Sequence, residues 1–229
     1  MAVEDRYLDG SYLAANPTWD SEDGKWKAGK VAEILAANRI TPSSVCDIGC
    51  GSGSVLVTLR DRLPNARLFG YDISPQLEKF WSQHPDITFR AENAFDGDER
   101  FDVLLMLDVF EHVRDPFTFL EQARKIAKHF VFHIPLDLSA TSVARGSPLM
   151  QVRQKVGHLH FYTKDLALET IRDCGYNIVD ARYTDALTLT TGHTWRTKAA
   201  TIPRKIAYAI NKDWGVRLLG GETLIVLAN

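Results

Sequence analysis

Short, nearly unbroken apolar runs alternate along this chain with stretches in which apolar residues recur every three or four positions. Runs at 44–49, 67–72, 87–91, 101–107, 130–134, 176–184 and 222–228 predict seven strands. Phe101–Leu107 is apolar throughout except Asp102, as a central parallel strand buried on both faces requires. Helical periodicity predicts helices over 28–38, with Val31, Ile34 and Leu35 on one face, and over 53–63, 76–83, 115–128, 163–174 and near 203–211. Pro64 ends the second helix, Ser74-Pro75 and Asp115-Pro116 open the third and fourth, and Thr163 and Gly175 bracket the fifth. Residues 136–160, with Gly146-Ser147-Pro148, read as irregular, and so does the aromatic segment from Tyr12 to Trp26. Regular alternation of strand and helix predicts a doubly wound α/β sheet.

The chemistry concentrates at the strand ends. Val45-Cys46-Asp47-Ile48-Gly49-Cys50-Gly51-Ser52-Gly53 joins an apolar run to three alternating glycines and a helix start. Such a turn lets backbone amides approach a ligand where a side chain would clash. Asp72 ends the second strand, 23 positions after Gly49, where a carboxylate can accept from both hydroxyls of a ribose; it can equally cap the helix that follows. Glu92-Asn93-Ala94 follows the third strand and Leu107-Asp108-Val109-Phe110-Glu111-His112-Val113 the fourth.

With these segments the chain resembles the class I S-adenosylmethionine-dependent methyltransferases, in the small-molecule branch of quinone-biosynthesis, glycolipid and natural-product enzymes. Gly157–Thr163 and Arg217–Gly221 add to the likeness, whereas Glu92-Asn93 departs from it, since many members carry an aspartate there. The resemblance implies a Rossmann-like seven-stranded sheet of order 3-2-1-4-5-7-6 with an antiparallel last strand. It also implies S-adenosyl-L-methionine as cofactor and S-adenosyl-L-homocysteine as product. Gly49, Gly51 and Gly53 would pack on the methionine part, Asp47 would receive its ammonium, and Asp72 would hold the ribose. Ile73 would cover the adenine face and Asn93 and Ala94 its edge, with Asp108 closing the cofactor set. Buried acids and close amides suit a sulfonium, an ammonium and a diol. A nicotinamide dinucleotide is the alternative cofactor, although the third glycine falls one residue early for it and Asp47 would face its pyrophosphate.

An oxygen acceptor needs a base, and histidine suits neutral pH. The candidates are His160, His158 and His112, with His133 inside a strand read as structural. No metal is expected, because His158 and His160 have only Asp137 in view as a third ligand. Nor is a nucleic-acid amine expected as target, since the Asp/Asn-Pro-Pro-aromatic motif of such enzymes is replaced by Leu107-Asp108-Val109-Phe110.

At 229 residues the chain reads as one methyltransferase domain, with 1–40 as a helical lid and 136–160 and 185–220 as insertions at the substrate mouth. Trp19 and Trp26 in that lid are placed to shield a sulfonium by cation–π contact. An acidic N-terminus, no membrane-length apolar run and three scattered cysteines point to the cytoplasm, as a monomer or homodimer. The net charge of −2 argues against a general nucleic-acid binder. Residues 138–163 carry Arg145, Arg153 and Lys155 with no acid, and 186–220 carry six bases against Asp213. These blocks predict an anionic or carrier-linked small-molecule acceptor, or, through Ile206, Ile210 and Trp214, docking on a membrane surface without insertion. A cofactor-binding regulator without turnover is the reading from a different class.

Overall fold

Apolar alternation within the strands creates two cores, one on each face of a single sheet. In the computed structural model, which describes residues 5–19, 21–186 and 195–229, seven strands pair in the order β3-β2-β1-β4-β5-β7-β6. They are β1 (Ser44–Ile48), β2 (Arg67–Tyr71), β3 (Thr88–Arg90), β4 (Phe101–Leu107), β5 (Ala127–Pro135), β6 (Ile178–Tyr183) and β7 (Thr223–Ala228). β7 runs antiparallel to both neighbours, and the other pairings are parallel. The expected strand order and antiparallel last strand are present.

Leu104 and Met106 of β4 join one core with Leu120, Ala167 and Ile171, while Val103, Leu105 and Leu107 join the other with Val31, Ile34, Leu35 and Leu56. The flanking helices are α3 (Gly24–Ala37), α4 (Ser54–Arg62), α5 (Glu78–Trp81), α6 (Pro116–Ala123) and α9 (Lys164–Asp173). Asp115 caps α6 by accepting from Thr118 N–H, and Thr163 caps α9 by accepting from Leu166 N–H.

Several boundaries differ from the pattern. The 115–128 helix ends at Ala123, because Ala127 pairs with Phe101 and the chain enters β5 three residues early. The 76–83 helix is a 3₁₀ turn over Pro75–Leu77 followed by the single turn α5. The irregular 136–160 stretch holds α7 (Ala140–Arg145) and α8 (Ser147–Lys155). Gly146-Ser147-Pro148 is the boundary between them, and proline suits a first helical turn. Ser139 and Ser142 form a reciprocal capping box on α7. The helix near 203–211 extends back to Trp195 as α10 (Trp195–Ile210), despite Pro203, and is followed by α11 (Lys212–Leu219), capped by Asn211. The N-terminal segment forms α1 (Asp5–Leu8) and α2 (Ser11–Ala15). Glu4, Asp20 and the 187–194 part of the long connection lie outside the described residues.

Candidate functional site

The parallel strands end at a cavity of about 1510 Å³, floored by the glycine turn and roofed by the N-terminal helices. Gly49, Gly51 and Gly53 all have φ between 71° and 81° or, for Gly51, 52°, the left-handed region that favours glycine. A Cβ at Gly49 would stand 2.8 Å from Val109 Cγ2, and one at Gly51 would stand 2.5 Å from Trp19 Cδ1. Gly49 and Cys50 N–H both donate to the Tyr71 carbonyl, so the turn hangs from the end of β2.

Asp72 is buried and completes that link. Gly51 N–H donates to one carboxylate oxygen and Ser74 N–H to the other, both at 3.0 Å. Burial pushes its pKa up to about 6 against these backbone donors. Asp72 thus caps the turn after β2 and also faces the cavity, with lone pairs left over on each oxygen. Asp47 lies deeper, and its Oδ1 is buried with no hydrogen-bond partner. Burial raises its pKa to about 8, opposed by Lys27 and reinforced by Asp72. Ile73, exposed, and Ala94, buried, also line the cavity. Asn93 lines it too, but its side chain is turned into its own loop: Oδ1 accepts from Phe95 N–H, and Nδ2 donates to Asp96.

Asp108 closes the floor with both oxygens engaged. Lys27 Nζ stands 2.8 Å from one and His133 Nδ1 2.7 Å from the other. Burial would raise its pKa, but His133 and Lys27 outweigh it and hold the carboxyl well below the usual range. His133, expected as a structural strand residue, lies in β5 and also lines the cavity, meets Trp26 edge-on at 5.5 Å and has a buried Nε2 with no partner. Pairing of His133 with Leu107 sets it beside the end of β4, a register that sequence does not reveal.

The histidines separate clearly. His158 is buried, lines the cavity and has Nδ1 2.6 Å from Asp137 Oδ2. His112 stands edge-on to it at 4.7 Å between ring centroids and has Nδ1 3.1 Å from Tyr7 Oη. His160 lies outside the lining, and its Nε2–H donates to the Val113 carbonyl. Strand alternation would put both rings on one face, but Leu159 and His160 N–H are both tied to the Glu111 carbonyl, which breaks the extended geometry between the two histidines and separates them. Glu111, unnoticed as a site residue, is fully buried with both carboxylate oxygens unpartnered. Burial, then repulsion from Asp108, raises its pKa well above the usual value. Its ligand atoms and those of His112 and His158 lie within 4.8 Å of one another, a donor set able to hold a divalent cation.

Among the described residues, neither basic segment lines the cavity with a lysine or arginine, and Lys27 and Arg114 are the lysine and arginine that do. Arg145 and Arg153 point outward from α7 and α8. Arg204 donates to the Leu219 carbonyl, Lys212 pairs with Asp185 and Glu222, and Arg217 pairs with Asp165. The N-terminal helices contribute Tyr7, Leu8 and Tyr12 to the cavity lining. Ser74 Oγ donates to the Tyr7 carbonyl, Gln76 Nε2 donates to the Leu8 carbonyl, and Trp19 and Trp26 line the wall.

A glycine cradle free of side chains and a buried, unpartnered carboxylate fit a cationic amino-acid donor carrying a diol. Comparison with known proteins agrees. The methyltransferase-domain family matches residues 23–181, more than half of the chain, so the chain belongs to that family, the class I S-adenosylmethionine-dependent methyltransferases. It is 31% identical over 152 residues to the ubiquinone biosynthesis O-methyltransferase of Cereibacter sphaeroides, a match spanning 59% of this chain and 61% of that relative's length. The fold is shared with a chain of the complex between the Haloferax volcanii Trm112 methyltransferase activator and a methyltransferase (TM-score 0.68, 22% identity, 99% and 96% of the two chains). It is shared as well with the plantazolicin methyltransferase BpumL, solved with a substrate analogue and S-adenosylhomocysteine (TM-score 0.63, 17% identity, 99% and 92%).

Proposed function

We propose that the protein transfers a methyl group from S-adenosylmethionine to a hydroxyl oxygen of a small-molecule acceptor. When bound, the cofactor supplies a methyl on a sulfonium and departs as S-adenosylhomocysteine. Asp72 would accept from the ribose hydroxyls, Asp47 would meet the ammonium, and the amides of the 49–53 turn would follow the methionine part. Ile73 and Ala94 would flank the adenine, while Asn93, held by its own loop, would offer it only its outer edge. Asp108 serves as the ionic anchor between Lys27 and His133, beneath the cofactor rather than on it.

The observation that carries this reading is the His158–Asp137 pair. Asp137 fixes the tautomer with the proton on Nδ1, leaving Nε2 of a buried, cavity-facing histidine to take a proton from an acceptor hydroxyl. His112, held by Tyr7, positions the acceptor beside it, and Trp19 and Trp26 exclude water. An oxygen acceptor also agrees with the name of the Cereibacter relative. An anionic group on that acceptor has Arg114 as its partner in the lining. A second reading follows from Glu111, His112 and His158, whose donor set fits a divalent cation that would acidify the acceptor hydroxyl.

Calorimetric titration with S-adenosylmethionine, followed by a screen of hydroxylated acceptors for S-adenosylhomocysteine release, tests the proposal. Binding with turnover that fails in His158→Gln supports it. Binding without turnover on any acceptor identifies a regulator, and no binding refutes the assignment altogether.

A further inference from the structure

Five large apolar side chains stand exposed at four-residue intervals across two consecutive helices: Ile202, Ile206 and Ile210 on α10, then Trp214 and Leu218 on α11. Ile210 is 82% exposed and Trp214 63%, fractions that ordinary packing does not leave on residues of this size. The inner faces explain the orientation. Arg204 Nε donates to the Leu219 carbonyl and Tyr208 Oη to the Gly220 carbonyl, while Gly215 and Val216 are buried. Those contacts turn α10 and α11 so that their apolar stripe faces outward. α11 packs on α7, where Val143 is exposed, and Met150 is exposed on the adjoining α8.

Charge distinguishes this patch from a simple apolar face. Arg145, Arg153 and Lys155 with no acid in 138–163, and Arg196, Lys198, Arg204, Lys205, Lys212 and Arg217 against Asp213 in 195–219, give these segments a net +8 on a chain of net −2. Lys205 is exposed beside Ile206, and the Arg217 guanidinium lies 6.0 Å from the Trp214 ring. An apolar stripe bordered by bases, with an indole at its edge, has the chemistry of an interfacial helix on anionic lipid. A protein partner would answer the apolar stripe; the exposed Lys205 on α10 and the exposed Arg145, Arg153 and Lys155 on the adjoining α7 and α8 favour the lipid headgroup layer.

We infer that α10 and α11, with the exposed flanks of α7 and α8, dock the protein on an anionic membrane surface. Val156 and His158, directly after α8, line the cavity, so docking would bring its mouth to the headgroup layer where amphiphilic acceptors reside. No helix among the described residues is long and apolar enough to cross a membrane, which matches surface binding rather than insertion. The inference stands on surface residues and does not depend on the acceptor assigned above.

Co-sedimentation of the full chain with phosphatidylglycerol–phosphatidylcholine vesicles, and with phosphatidylcholine vesicles alone, tests it. Binding is expected to the anionic vesicles and to weaken with added salt. Ile206→Glu with Ile210→Glu should reduce it on the order of tenfold or more, and Lys205→Glu should reduce it several-fold. Unchanged S-adenosylmethionine titration and melting temperature would show that these exposed-site variants fold. Absence of wild-type binding, or binding unaffected by the paired glutamates, would overturn the inference. Light scattering that shows a dimer broken by the same glutamates would overturn it too, by assigning the face to a second copy.

Discussion

Lys27 Nζ lies 2.8 Å from Asp108 Oδ2, and this contact fastens the first long helix to the end of β4 across the floor of the cavity. Asp108 sits at φ 57°, a conformation that costs a non-glycine residue roughly 1–3 kcal/mol and persists where its surroundings impose it. Here they do: Asp108 N–H donates to the His133 carbonyl while its carboxylate is held by Lys27 and His133. Lys27→Met keeps the helix contacts and removes the charge. Expected is a loss of roughly 2–3 kcal/mol in urea unfolding, less than for a fully buried pair because Asp108 remains partly exposed. An unchanged midpoint would show that the pair contributes nothing net.

Asp47 makes the ligand-free protein pH-sensitive. Its pKa rises from the ordinary 3.8 to about 8 on folding, chiefly by burial. Between those values the folded chain binds more protons than the unfolded one, so stability falls as pH rises through that window. Asp72, raised to about 6 by burial, adds to the lower half. Asp47→Asn should remove the fall above about pH 6 in chemical unfolding curves. It should also weaken S-adenosylmethionine on the order of tenfold, through loss of the ammonium contact. The wild type should release a proton on binding near neutral pH, measured by calorimetry in buffers of different ionisation enthalpy.

The histidines give a three-way comparison. His158→Gln should lower kcat by about 10²–10⁴ while leaving cofactor affinity unchanged, the range for loss of a general base. Asp137→Asn, which frees the Nδ1 side of His158, should lower kcat by about tenfold through the wrong tautomer. His160→Gln should change kcat by less than about threefold, because its ring is spent on the Val113 carbonyl outside the cavity. Equal losses at 158 and 160 would remove the assignment of the base.

Glu111 separates base catalysis from a metal-assisted route. Burial and Asp108 push the pKa of its partnerless carboxyl upward and so favour the neutral form, which glutamine mimics; Glu111→Gln should shift stability by no more than about 1 kcal/mol in a thermal melt. Under the general-base reading this variant turns over and chelators have no effect. Inactivation by EDTA with recovery on adding magnesium or zinc, and loss of that recovery in Glu111→Gln, would favour the cation instead.

The sheet was legible because burial on both faces forces continuous apolar runs, and the glycine turn because a bend against Val109 and Trp19 admits no side chain. Capping was legible at Asp115 and Thr163, where a polar side chain precedes a proline or an amphipathic run. The polar interior was harder. Lys27, His133 and Glu111 sit on three different elements with no spacing in common, and only register and helix placement bring the first two to Asp108. The His158/His160 choice was not legible because positions two apart share a face in an extended segment, and only the irregular backbone that ties Leu159 and His160 N–H to the Glu111 carbonyl parts them. The basic segments were read as the rim of the substrate mouth. Their last helix buries Gly215 and Val216, and α10 and α11 leave large apolar side chains such as Ile210 and Trp214 outside, an arrangement that an apolar-inside, polar-outside reading does not anticipate.

Gly51 provides the sharpest test of the cradle itself. Its φ of 52° is open to alanine only at a cost of about 1–2 kcal/mol, and the new methyl would stand 2.5 Å from Trp19 Cδ1. Trp19 must then lift from the turn, which also carries the amide given to Asp72 and the carbonyl that accepts from Trp81 Nε1–H. Gly51→Ala should therefore lose S-adenosylmethionine binding far beyond its modest stability cost. Gly29→Ala, where a Cβ would meet nothing within 4 Å, should bind normally. Comparable titrations for both variants would mean that the turn is a structural bend and that the ligand sits elsewhere in the cavity.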